Sequence, residues 1–351
     1  MIKRYNEKCL LTPEDLAPTR DDLKVISVFN PGVIEHDGEV LIMARVAERV
    51  AETRPGYHAL PRWTEDGEVS IDWMAEEDID LIDPRMVQVR KTGLNRLTFL
   101  SHLRIFRSSD GLSVKAEDCG RFLPTSLYES YGVEDPRITK IGDTYYVTYV
   151  AVSKHGASTA LASTRDFQNF QRHGIIFYPE NKDVVLFSEK LNRGYAALHR
   201  PNAATPFTKP EMWVAWSDDL VHWGQHEVLL GGSSEWDSGR IGAGCPPILV
   251  DDGWLEIYHG NKKLPGQEGV GPYAAGLLLL DYENPAKILK RSPEPIMQPD
   301  AAFEKDGFVV DVVFPTGIVP RGDRALVYYG AADTSVGVVE FSIQEMLDRL
   351  K

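Results

Sequence analysis

Four consecutive residues, Glu134-Asp135-Pro136-Arg137, place two carboxylates and a guanidinium just ahead of the aromatic strand "TYYVTYVAV" at 144–152. Pro136 lacks a backbone donor and disfavours the helical conformation at the residue before it, so the Asp135 carboxylate is held in an extended or turn geometry. Strand alternation puts Arg137 on the same face as Asp135. A guanidinium there favours the ionised acid, and Glu134 opposes it. Carboxylates beside a guanidinium are residue types that acid–base work uses, though the tetrapeptide by itself is weak evidence of it. The ordinary alternative is a turn acid that bonds its own backbone.

Similar polar clusters recur beside Gly or Pro along the chain. They include Asn30 in "FNPGV", Arg45 in "MARVAER", Ser101, His102 and Arg104 in "SHLR", and Glu189 and Lys190 in "LFSEKL". Further on come His199 and Arg200 in "ALHRPN", Glu235 and Arg240 in "SSEWDSGRIGAG", His259 in "EIYHGN", Tyr273, and Asp311 in "FVVDVVFPTG". Carboxylates and amides bind sugar hydroxyls, and aromatic faces stack on the apolar side of a pyranose. Trp63, Trp213, Trp216, Trp236, Tyr131 and Tyr273 are the candidate platforms.

The elements that carry these residues repeat. A Gly- or Asp-bearing turn, a strand of alternating aromatic and aliphatic residues, a polar gap and a second strand recur at 36–46, 96–111, 141–167, 193–223, 251–281 and 322–342. Assembled, they make about five four-stranded units at propeller-blade spacing, with a β-sandwich as the alternative. The expected fold is an all-β, five-bladed β-propeller in one domain over 1–351, with a short C-terminal helix capped by Ser342 that closes the fold. In a propeller the loops at one end surround a channel, so a site there collects side chains from every blade. The irregular stretch 45–85 reads as an excursion over one face.

With 38 Lys and Arg against 52 Asp and Glu, the 351-residue chain carries a net charge of −14, which argues against nucleic acid or an anionic membrane as partner. The first residues hold no apolar signal-like core, so the expected compartment is cytoplasmic. Cys9, Cys119 and Cys245 are too scattered for a disulfide framework or a zinc site and read as buried small residues. No metal site is expected.

In order, "VFNPGV", "LTFLSHLR", "YGVEDPRI", "LFSEKL", "ALHRP", "RIGAGCPP", "GWLEIYHG", "GLLLLDYENPAKILKRS" and "VVFPTG" resemble glycoside hydrolase family 130, the β-mannoside phosphorylases and β-mannosidases. The resemblance spans nearly the whole chain. It implies a five-bladed propeller and inverting attack at the anomeric carbon of a terminal β-mannose in a manno-oligosaccharide. It also implies that Asp135 is the acid, its proton passing through the mannose 3-hydroxyl. It implies no cofactor, inorganic phosphate being a co-substrate in the phosphorylases, and it leaves a homo-oligomer open. In the phosphorylases Lys190 and His259 match phosphate-site positions, with Arg45 and Arg200 as further contributors. The loop Lys154-His155-Gly156 departs from the arginine-bearing loop of the better-known phosphorylases, and "PENKD" (179–183) and "EWDSGRIGAG" (235–244) resemble the β-1,2-mannosidase branch. The expectation drawn is therefore a β-1,2-mannosidase with Glu189 or Glu235 as the base. A phosphorylase making mannose 1-phosphate is the alternative, and a non-catalytic sugar-binding propeller lies further off.

Overall fold

The computed structural model describes residues 2–202, 209–233, 235–262 and 270–351. The chain forms a five-bladed β-propeller. Blade I comprises Leu23–His36, Glu39–Val50, Leu100–Ser108 and Gly120–Phe122, and blade II comprises Gly132–Ile141, Thr144–Ser153, Gly156–Thr164 and Gln171–Phe177. Blade III comprises Asn181–Leu186, Tyr195–Pro201, Met212–Ser217 and Gly224–Leu230. In blade IV the inner edge is split between Ile241–Ala243 and Ile248–Val250, followed by Gly253–Asn261, Tyr273–Leu280 and Ile288–Arg291. Blade V comprises Val313–Arg321, Arg324–Ala331 and Ser335–Ser342, and its fourth strand is the N-terminal segment Tyr5–Leu11, antiparallel to Ser335–Ser342.

That pairing corrects the expectation for the C-terminal helix. Ser342 does cap Ile343–Leu347, its side chain accepting from the Glu345 amide, but the helix packs under blade V through Met346 while an N-terminal strand closes the ring.

Alternation along each strand builds one apolar layer between every pair of neighbouring blades. Val40, Ile42 and Ala44 face Leu326 and Tyr328 of blade V, whereas Leu41 and Met43 face Val147 and Tyr149 of blade II. Leu161 meets Val184 and Ala197 between blades II and III, Leu198 meets Trp254 and Leu278 between III and IV, and Leu255 meets Val327 and Phe341 between IV and V. Five such layers account for the five-fold ring, each buried Leu or Phe contributing roughly 1.5–3 kcal/mol of transfer free energy.

Three blades turn from third to fourth strand with the same device. Ser108, Thr164 and Ser217 accept from the amides of Gly111, Phe167 and Leu220, and Asp110, Asp166 and Asp219 each accept two further amides. The residue that follows each Asp sits at positive φ: 76° at Gly111, 56° at Phe167 and 68° at Leu220. Such caps recover the backbone bonds lost at a sharp corner.

Between the second and third strands of blade I, residues 57–97 form two small sheets: a hairpin of Tyr57–Trp63 and Val69–Ala75, and a meander of Ile79–Asp83, Met86–Val89 and Asn95–Leu97. This is the excursion expected at 45–85, displaced toward the C-terminus. Cys245 is buried, but Cys9 and Cys119 are exposed, contrary to expectation. Among the described residues no helix is long and apolar enough to cross a membrane.

Candidate active site

The inner strands of blades I, II and III share a defect that aims side chains at the axis. Asn30, Asp135 and Asp183 sit in the left-handed region, at φ 45°, 48° and 54°, and each coincides with a register shift in its strand. Asn and Asp tolerate this conformation better than other residues with a Cβ, and an extra residue in the ladder bends the strand. All three side chains are thereby turned inward and buried.

Asn30 and Asp135 line a cavity of about 310 Å³, and Asp183 lies behind its wall. Asp135 Oδ1 accepts from Asn30 Nδ2 at 2.9 Å and from Arg45 Nη1 at 3.1 Å, and Lys182 Nζ lies 3.7 Å from Oδ2. Arg45 Nη2 donates to Glu134 Oε1 at 2.6 Å, and Ser101 Oγ donates to the same carboxylate oxygen at 3.2 Å. The Arg45 guanidinium lies over the Phe29 ring at 4.5 Å. Burial works against the Asp135 charge, but Arg45, Lys182 and Arg137 outweigh it and hold this carboxyl below its usual range. Glu134 goes the other way, raised by burial and by Asp135 against the pull of Arg45.

Arg137 is not the partner of the Asp135 carboxylate that strand alternation suggests. The bulge interrupts the alternation, and Arg137 instead donates to the Gly244 carbonyl at 2.6 Å and to the Asp135 carbonyl at 2.9 Å, tying blade II to blade IV.

The adjoining wall is cationic. Lys182 pairs in register with Arg200, and both line the cavity together with Arg240 and Tyr273. Asp183 orients this wall from behind, with Arg200 Nη1 at 2.6 Å and His259 Nε2 at 3.1 Å from its Oδ2. Burial disfavours the Asp183 charge, yet Arg200 and His259 keep it far below the carboxylate range. His259 is pushed down to about 4 by burial, so its ring is neutral near pH 7. Arg200 Nε and Nη1 are buried without a well-aligned hydrogen bond, and so is His259 Nδ1. Apolar contacts come from Phe29, Phe99, Phe314 and Tyr273 rather than from tryptophans; Trp63 is buried and donates to the Ser101 carbonyl.

The 57–97 insertion supplies Asp83, Arg85, Met86 and Leu97 to one side of the cavity, Arg85 Nη2 donating to Asp83 Oδ2 at 3.0 Å. The hairpin turn of blade V supplies Asp333, at φ 49°, whose carboxyl is pushed up to about 6 by burial, Arg45 and Asp135 being its next strongest influences. Among the described residues no cluster of three or more His, Cys, Asp or Glu is arranged to hold a metal.

Of the residues proposed from sequence, Asn30, Arg45, Glu134, Asp135, Arg200, Arg240 and Tyr273 line the cavity, Ser101 buttresses Glu134 and His259 backs the cationic wall. The others are elsewhere. Glu189 and Lys190 follow the far end of strand Asn181–Leu186 and are exposed; Glu189 accepts from the Tyr282 hydroxyl and Lys190 lies over Tyr195. Glu235 is exposed in the loop before blade IV, outside the cavity lining.

His102 and Arg104 point to the other face of their strand, where Arg104 bonds His102, Glu48 and the Ala17 carbonyl. His199 also points away, stacked on Phe177 at 4.6 Å and linked to Asn181 and His226. Asp311 gives its carbonyl to the Tyr273 amide beside the cavity. Lys154 and His155 are exposed at the rim, with His155 5.9 Å from the Tyr128 ring. Residues 263–269, between His259 and Tyr273, lie outside the described residues. Lys182, Asp183, Arg85, Asp83 and Asp333 went unnoticed as site residues, although "PENKD" contains the first two.

Comparison with known proteins places this geometry in context. The glycoside hydrolase 130 family model, described as beta-1,4-mannooligosaccharide phosphorylase, matches residues 73–351. A beta-1,2-mannobiose phosphorylase of Listeria innocua is 41% identical over 356 residues, covering 100% of this chain and 98% of its own. Its crystal complex with beta-1,2-mannobiose superposes with a TM-score of 0.91, covering 99% and 98% of the two chains. A 1,2-beta-oligomannan phosphorylase of Thermoanaerobacter is 36% identical over 254 residues, 71% of this chain and 80% of its own. A structure titled as showing family glycoside hydrolases that target beta-1,2 mannosidic linkages in Candida mannan aligns at TM-score 0.67 with 22% identity, covering 91% and 85%, a likeness of fold.

Proposed function

Because the chain belongs to glycoside hydrolase family 130, we propose that it is a β-mannoside phosphorylase, cleaving terminal β-1,2-linked mannose with inorganic phosphate. The observation that carries this reading is the cationic cluster of Lys182, Arg200 and Arg240 that lines one cavity with Asp135, the Arg200 Nε having no hydrogen-bond partner among the described residues. A phosphate dianion needs charge-assisted donors, and a guanidinium with an unfilled N–H group provides them.

Hydrolysis, favoured from the sequence alone, loses its support because Glu189 and Glu235, the bases it relied on, lie outside the cavity. Among the carboxylates that line it, Asp83 is held by Arg85 and Glu134 by Arg45, while Asp333 interacts with Arg45 and Asp135 on the side of the acid. In the proposed reaction a phosphate oxygen forms a bond to the anomeric carbon as the bond to the leaving oxygen breaks. Mannose 1-phosphate of inverted configuration results. The leaving oxygen takes a proton supplied by Asp135 through the mannose 3-hydroxyl.

Incubation with β-1,2-mannobiose, with and without inorganic phosphate, tests the reading. The expected products are mannose 1-phosphate and mannose, formed only when phosphate is present and faster than from β-1,4-mannobiose. Release of two mannoses without phosphate would restore the hydrolase.

A further inference from the structure

An acid catalyst should hold its proton at working pH, yet in the free protein Asp135 is surrounded by groups that favour its loss. Arg45 Nη1 and Asn30 Nδ2 bond its Oδ1 from blade I, and Lys182 Nζ approaches Oδ2 at 3.7 Å from blade III. Arg137 lies two residues along the same strand, and Glu134 and Asp333 are the carboxyls that push back. Of the cations, Arg45 is committed, shared between Glu134 and Asp135 and packed on Phe29. Lys182 is not. It has no shorter ion pair than the one to Asp135, its side chain keeps 27% exposure, and it stands in register with Arg200 on the anion-binding wall. Its flexible stem carries a point charge that can turn to either partner.

Resting on the phosphorylase reading, we infer that Lys182 links the two halves of the site: it pairs with Asp135 while the wall is empty and turns to phosphate when the wall is filled, so that phosphate binding lets Asp135 take up its proton. Two effects act together. The acid loses a cation at contact range, and it gains a dianion nearby. Charges at such distances each move a carboxyl by roughly 1–3 pH units. Arg45, Arg137 and Asn30 keep their places and set the level from which the shift starts. Without phosphate the acid stays ionised, so water entering in place of phosphate meets no proton donor. Lys182 is thus a positioning residue that couples co-substrate occupancy to proton supply and suppresses hydrolysis.

The test uses the full chain and inorganic phosphate alone. Infrared difference spectra over a pH series follow the protonated-carboxyl band that is absent in Asp135→Asn, with calorimetry confirming phosphate saturation. In the wild type, saturating phosphate should raise the midpoint of that band by about one pH unit or more, a tenfold change in the protonated fraction. In Lys182→Met the midpoint should start high and move less than half as far, and Lys182→Arg should restore the movement. A wild-type midpoint unmoved by bound phosphate, or a Lys182→Met shift as large as that of the wild type, overturns the inference. If mannose 1-phosphate still forms in a phosphate-dependent assay, that failure leaves the phosphorylase reading intact. Absence of phosphate binding together with phosphate-free cleavage overturns both.

Discussion

Arg45 is the residue on which most of the acid side depends, because one buried guanidinium serves Glu134, Asp135 and the face of Phe29 at once. Removing one partner from a buried charge network leaves the others uncompensated, at a cost of about 3–5 kcal/mol. Arg45→Met should therefore lower stability by that amount in urea unfolding, and a midpoint unchanged from the wild type would show that the carboxylates find other partners. The two carboxyls nearest the acid's cations respond to pH with opposite signs. Asp333 is raised to about 6, so its contribution to stability is fully present below its ordinary value of 3.8 and is lost as pH rises through 6. Asp333→Asn should then melt above the wild type at pH ~8 and equal it at pH ~4, as calorimetry can measure. Asp135 is lowered, so its contribution is present above its ordinary value of 3.8 and fades as pH falls through its folded value.

At the scale of elements, the strand pairing that joins blades I and II passes through a glycine. Gly132 sits at φ 135° opposite Ser101, the only parallel pair joining these blades, and a Cβ there would meet the Ser101 carbonyl oxygen at 2.5 Å and its nitrogen at 2.6 Å. Both are backbone atoms and cannot swing aside. Gly132→Ala should cost about 1–3 kcal/mol from backbone strain alone and, because Ser101 bonds Glu134, lower phosphorolysis as well. A variant with wild-type melting and turnover would sink this account. The same elements explain what could be read from the chain in advance. Blade strands announce themselves by period-two alternation, and Asp135 and Asn30 by the Pro that follows each. Which face a strand residue occupies is another matter, since one inserted residue flips the parity of everything beyond it. That is why Arg137 was assigned to the Asp135 carboxylate, whereas His102, Arg104 and His199 simply occupy the other face of their strands, where they bond partners within blades I and III. Lys182 and Asp183 carry no local signal that distinguishes them from a charged turn; their bulge becomes visible only against the partner strand.

For the whole molecule, a net charge of −14 surrounds a cavity with one positive wall. Lys182, Arg200 and Arg240 concentrate positive potential on one side of that cavity, so on the proposed reading phosphate is drawn to this wall although the protein as a whole repels it. The ring that holds this cavity open depends on Tyr5–Leu11, because without it Ser335–Ser342 is a bare sheet edge that invites pairing with another chain. Deleting residues 2–11 should therefore produce aggregation on warming, followed by light scattering; a soluble monomer of wild-type melting temperature would show that the strand is dispensable. The same pairing imposes an order in time. During synthesis at roughly 5–20 residues per second, Tyr5–Leu11 emerges long before Ser335–Ser342 and waits tens of seconds for it. Four blades can assemble as they leave the ribosome, but the fifth is completed only by the two ends of the chain meeting. Closing the ring is thus a step of very large sequence separation, and until it happens the newborn chain is an open arc whose fifth blade still shows a bare edge.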